Sequence, residues 1–205
     1  MTQVTNGLRS ILSHPGVYSA FQTLMGAHKA RSKFVNEFIK PYRGMRILDI
    51  GCGTADILNY LTDVEYYGFD ISKAYIARAN TRFNGRGLFY CKELCPDELE
   101  NLPSFDVVLA LGLLHHLDNH AAANMLKMAS QALKPDGRLI TVDPCLEPGQ
   151  NPLARFLIKQ DRGQNVRTKS EYIHLTNAIF KSCHVQVRHQ KWIPYTHCFM
   201  ECVTN

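Results

Sequence analysis

The run Ile47-Leu48-Asp49-Ile50-Gly51-Cys52-Gly53-Thr54-Ala55-Asp56 constrains the fold more than any other stretch of this 205-residue chain. A short apolar strand ends in two glycines one residue apart, and a helix is predicted to start at or near Thr54. Glycine lets the backbone turn sharply and approach a ligand, and a helix N-terminus offers unpaired N–H groups. At the carboxyl end of a first parallel strand, such a turn is the ligand-binding position of an open α/β sheet. Asp49 and Asp56 put two carboxylates around it, which disfavours a pyrophosphate and suits a ligand carrying an ammonium or hydroxyls. A dinucleotide turn reads G-x-G-x-x-G/A, whereas Asp56 stands where its third small residue belongs. The turn therefore points to a cofactor other than a dinucleotide.

The rest of the chain alternates in the manner of an α/β domain. Strands are predicted at 46–50, 65–70, 87–91, 105–110 and 138–143, with helices at 55–62, 73–82 and 119–133 between them. The 105–110 run is almost continuously apolar, as a parallel strand covered on both faces should be. Apolar positions at helical spacing between 15 and 40 predict one or two helices ending before Pro41. A helix at 169–180 precedes two runs, 184–189 and 198–203, that can pair as an antiparallel hairpin. Residues 144–168 break the rhythm with three prolines, two glycines and a polar run. That segment follows the fifth strand and reads as a lid or substrate-binding insertion. The expected organisation is a single domain over 1–205, with a helical cap at 1–43 and the insertion at 144–168.

No apolar run reaches the ~18–20 residues of a membrane span. The opening residues do not read as a secretion signal, and seven scattered cysteines are expected to be reduced thiols in a cytoplasmic protein. Cys91/Cys95 and Cys198/Cys202 lack zinc-knuckle spacing. The histidines at 184, 189 and 197 fit alternating strand positions, and no metal is expected. Residues 47–150 carry 14 acids and 8 Lys/Arg, while 1–46 and 151–205 carry net charges of +6 and +5. An acidic core between basic flanks suits a cationic cofactor and, by long-range attraction, an anionic acceptor or nucleic acid.

Four blocks in order carry a resemblance. The glycine turn is followed by Tyr66-Tyr67-Gly68-Phe69-Asp70, whose terminal acid is placed to accept from two ribose hydroxyls. Phe105 to Leu117, ending Leu114-His115-His116-Leu117, forms the third block, and Leu133-Lys134-Pro135-Asp136-Gly137-Arg138-Leu139-Ile140 the fourth. Over about residues 44 to 143 the chain closely resembles the small-molecule branch of the class I S-adenosylmethionine methyltransferases. The resemblance implies a doubly wound, mostly parallel seven-stranded sheet with an antiparallel last strand and N-terminal helices. It also implies S-adenosylmethionine as cofactor. Gly51, Cys52 and Gly53 would approach its methionine part, Asp49 its ammonium, Asp70 its ribose and Ile71 its adenine. Leu111 would lie beneath it. The third strand departs from the family, and Glu93-Leu94 is the nearest match to the pair that meets the adenine. His14 and Tyr18 would fold over the cofactor, and Arg31 would meet its carboxylate.

His115 and His116 lie just past the fourth strand, where an acceptor should sit, and either imidazole is suited to removing a proton during methyl transfer. The alternative is that one ring packs or caps the next helix while the other lines the cofactor pocket. Arg162 and Arg167, with Tyr195 and His197, would converge on a small, anionic acceptor, since an arginine fork suits a carboxylate or phosphate. The leading function is methyl transfer to oxygen or nitrogen of a small metabolite or sugar-like acceptor. A nucleic-acid methyltransferase finds support in the basic flanks, but no Asn/Asp-Pro-Pro-Tyr/Phe element follows the fourth strand. A non-catalytic cofactor-binding partner subunit is a third reading. A short-chain dehydrogenase is disfavoured, because no tyrosine has a lysine four residues on.

Overall fold

The computed structural model describes residues 27–160, 163–190 and 195–204. Each central strand sends alternate side chains to two buried layers, which explains its unbroken apolar character. Leu48, Val108 and Leu139 face one core with Ala122, Met125 and Leu126, while Ile47, Val107, Leu109 and Ile140 face a second with Phe38, Leu58 and Ala79. The strands are β1 (Arg46–Ile50), β2 (Glu65–Phe69), β3 (Leu88–Tyr90), β4 (Phe105–Leu111), β5 (Leu133–Leu146), β6 (Arg167–Thr168), β7 (Ser182–Gln190) and β8 (Tyr195–Val203). Their order is β3-β2-β1-β4-β5-β8-β7, with the short β6 beside the end of β5. Strands β1 to β5 are parallel, and β8 runs antiparallel to both β5 and β7. The expected doubly wound sheet with an antiparallel last strand is present.

The helices are α1 (Ala27–Phe34), α2 (Lys73–Arg82), α3 (Pro96–Leu99), α4 (Asn119–Ala132), α5 (Pro152–Lys159) and α6 (Lys169–Asn177). Local chemistry sets their starts. Ser72 and Asp118 cap α2 and α4, and Thr168 with Glu171 forms a capping box on α6. Helix α1 passes into a π-turn, Val35–Ile39, and stops at Lys40, which turns left-handed before Pro41. Among the described residues no helix is long and apolar enough to cross a membrane.

Two expectations need correction, and a third gains detail. The helix predicted at 55–62 is a single 3₁₀ turn, Asp56–Tyr60, because Ala55 adopts φ +53° and Leu61 is already extended. The insertion carries a helix of its own. Asn151 caps and Pro152 starts α5, a start signal obscured by the surrounding polar residues. Finally, the seven thiols are not all reduced, because the β7–β8 register sets Cys183 opposite Cys202 and the two are disulfide-bonded. Cys52, Cys91, Cys95, Cys145 and Cys198 are free. Near the other end of the same hairpin, Arg188 lies 4.9 Å from the ring centres of Phe38 and Phe199 and pairs with Glu37.

Candidate active site

The tips of β1, β2 and β3 are sewn into one platform. Gly51 and Gly53 take φ +75° and +55°, conformations that side chains disfavour, and so fold the chain back at the end of β1. The N–H groups of Gly51 and Cys52 then donate to the Phe69 carbonyl at 2.8 and 3.0 Å. Asp70 completes the platform. Its two carboxylate oxygens accept from Gly53 N–H at 2.9 Å and Ser72 N–H at 2.8 Å, while its own N–H donates to the Tyr90 carbonyl at 3.1 Å. Beside it, Ile71 is 53% exposed, an open apolar face next to a carboxylate. The Cys52 thiol lies against Gly68, and burial pushes it well above its usual range.

Asp49 is buried beneath this turn. One oxygen accepts from the Tyr66 hydroxyl at 2.5 Å, and the other has no hydrogen-bond partner among the described residues. Burial raises its pKa to about 7, the nearby charge of Asp70 adds to the rise, and the Tyr66 hydrogen bond opposes it. A buried carboxylate oxygen without a partner among the described residues suits an ammonium. Between roughly pH 4 and 7 the folded chain holds a proton on Asp49 that the unfolded chain releases. Stability is therefore expected to fall as pH rises through that window, by up to about 4 kcal/mol at ~1.4 kcal/mol per unit. Urea melts of the ligand-free protein should show this decline, and Asp49→Asn should flatten it.

The tip of β4 carries the second half of the site. Gly112 turns the chain, its N–H donating to Val142 at 2.7 Å, and a 3₁₀ turn over Leu114–His116 follows. This turn tucks His115 inside, where it is 5% exposed. Its Nδ1 lies 2.8 Å from Asp143 Oδ1, and the same oxygen accepts from the His115 backbone N–H at 3.1 Å. A carboxylate only accepts, so the Nδ1 proton of a neutral His115 faces Asp143. The His116 ring lies against that of His115, with centroids 4.0 Å apart. Asp143, 1% exposed on β5, was not anticipated from the sequence. The available signal was its place near the carboxyl end of the fifth parallel strand, level with the other motif residues.

Several expected site residues stand elsewhere. Arg167 does not present its guanidinium to an acceptor. Only 6% exposed, it donates to the carbonyls of Leu114 at 2.8 Å, Leu117 at 2.7 Å and Asn165 at 3.1 Å, and to Asn119 Oδ1 at 3.0 and 3.2 Å. Tyr195 and His197, with rings 4.9 Å apart, lie within β8 rather than before it. They alternate with Cys198, the register partner of Asp143, so they point to the opposite sheet face and do not converge with Arg167. Leu94 is a core residue, Glu93 is exposed, and Leu111 is half-buried against the second core. Arg31 lies 3.5 Å from Asp56, which also binds Arg82. His14, Tyr18 and Arg162 lie outside the described residues.

Residues 48–139, from β1 through the glycine turn, Asp70 and His115 to β5, match the model of a methyltransferase domain. Over this span the chain is similar to the class I methyltransferases. The cofactor of such a domain is S-adenosylmethionine. The chain is 28% identical over 117 residues to cyclopropane-fatty-acyl-phospholipid synthase of Escherichia coli K12, covering 56% of this chain and 30% of that protein. It is 30% identical over 144 residues to the O-methyltransferase rstn1 of Aspergillus nomiae, covering 65% and 63%. The chain thus spans less than two thirds of either relative. The crystal structure of the S-adenosylmethionine-dependent methyltransferase SibL superposes with a TM-score of 0.70 at 16% identity, covering 95% of this chain and 61% of SibL, a likeness of fold.

Proposed function

We propose that the protein transfers a methyl group from S-adenosylmethionine to an oxygen or nitrogen of a small metabolite or sugar-like acceptor, with His115 as the general base. The observation that carries this reading is the buried His115–Asp143 pair, which faces the same strand tips as the glycine turn and Asp70. When bound, S-adenosylmethionine supplies a methyl group already activated on a positive sulfur. The chain's task is then to hold the acceptor and remove its proton. Asp49, with its orphaned oxygen, suits the ammonium of the cofactor, and Asp70 suits the ribose diol. Ile71 offers its apolar face to the adenine. Asp143 orients His115 and stabilises the imidazolium that forms when Nε2 accepts the acceptor's proton.

Similarity to the O-methyltransferase of Aspergillus favours a hydroxyl acceptor. Arg167 lends no support to an anionic one, because its donors are committed to the protein. Calorimetric titration with S-adenosylmethionine, S-adenosylhomocysteine and NAD tests the cofactor. Both adenosyl compounds should bind and NAD should not, and a preference for NAD would overturn the reading. Transfer of labelled methyl to a panel of small phenols and sugars then tests the acceptor class.

A further inference from the structure

We propose that Arg167 is a positioning residue that clamps the two halves of the His115–Asp143 pair together, a role that rests on the general-base reading above. Its guanidinium bonds on one side to Leu114 and Leu117, the carbonyls that bracket His115 and His116 in the turn after β4. On its other side it lies 5.9 Å from the ring centre of Tyr172, a fully buried residue of α6. The Tyr172 hydroxyl donates at 2.9 Å to the carbonyl of Pro144, the residue next to Asp143. Arg167 thus touches the loop that carries the base and, through Tyr172, the strand end that carries its partner.

The return limb of the insertion belongs to the same unit. Asn165 N–H donates to the His115 carbonyl at 3.0 Å, and Arg167 in turn bonds the Asn165 carbonyl. Gly163 lies so close over the imidazole that a Cβ there would fall 2.0 Å from His115 Cδ2. A rigid planar fork with five donors can hold three carbonyls and an amide oxygen at once, whereas a lysine ammonium, with three donors on a flexible stem, cannot. The consequence is that the insertion and the base move as one body, so His115 is held in its Asp143-bonded rotamer before any ligand arrives.

The test uses the full chain labelled with ¹⁵N-histidine. The Nδ1–H signal of His115, assigned by its loss in His115→Asn, is compared with that of Arg167→Lys and Arg167→Ala. Both variants should shift or broaden it and lower kcat by about 10²-fold, as a displaced catalytic group does, with KM and S-adenosylmethionine affinity within about 2-fold. Should Arg167→Ala fail to fold, Asn119→Ala and Tyr172→Phe each remove one limb of the clamp and should move the same signal in part. An unmoved signal in all folded variants overturns the clamp. So does a rise in KM with kcat and the signal unchanged, which would return Arg167 to the acceptor. His115→Asn with unimpaired turnover would instead overturn the general-base reading, while the signal in the Arg167 variants would still decide the clamp.

Discussion

His115→Asn is expected to lower turnover by about 10²–10⁴-fold, the usual contribution of a positioned general base. Asparagine is the informative replacement. Asp143 is buried, and one of its oxygens has no partner among the described residues, so removing the imidazole outright would strand a charge at a cost of about 3–5 kcal/mol. The asparagine amide keeps a donor in reach of Asp143 and isolates the loss of Nε2. Asp143→Asn should produce a fall of similar order for a different reason. Its amide can present an N–H to Nδ1, which moves the imidazole proton to Nε2 and removes the lone pair the reaction needs. Single-turnover rates with saturating S-adenosylmethionine would register both effects, and calorimetry should show cofactor affinity unchanged in each variant. A His115→Asn enzyme with full activity would leave methyl transfer to proximity alone.

Asp70→Ala should weaken binding of S-adenosylmethionine and S-adenosylhomocysteine alike, by about 10²-fold. Two charge-assisted hydrogen bonds to a diol contribute on the order of 3 kcal/mol, and ~1.4 kcal/mol corresponds to a factor of ten. The same substitution also unfastens the platform, because Asp70 holds the N–H groups of Gly53 and Ser72. Asp70→Asn separates the two roles. It keeps one acceptor for the backbone and should lose less affinity, with a thermal midpoint close to that of the parent protein. Equal affinity in Asp70→Ala and parent would place the nucleoside somewhere other than the end of β2.

Much of this architecture was readable from the chain because the signals were local. The β4 run is apolar without alternation, since both its faces are covered, and Ser72 and Asp118 announce their helices one residue ahead. The glycine turn was legible because its backbone demands residue types that few other settings require. What escaped was set by tertiary context. His115 and Asp143 are 28 residues apart and meet only because β4 and β5 are parallel neighbours. Arg167 reads as an acceptor-binding cation on a polar segment, and nothing nearby in sequence reveals the buried carbonyls it reaches 50 and 53 residues away. The 3₁₀ turn after β1 escaped because the apolar spacing of Ile57, Leu58 and Leu61 fits either a helix or a tighter turn. The left-handed Ala55 that decides between them leaves no trace in composition.

The hairpin of β7 and β8 has a consequence for association. Every sheet that does not close into a barrel has two rims, and an unguarded rim is a template on which a stranger's chain can zip. One rim here, β3, is three residues long and offers little to copy. The other, β7, is nine residues long and would be the hazardous one. It is riveted near both ends, by Cys183–Cys202 toward α6 and by Arg188 beside the stacked rings of Phe38 and Phe199 toward the strand tips. Tethered in this way, the outermost strand cannot peel off to trade places with its counterpart in another molecule. The pins that finish the fold also bind this rim to its own molecule.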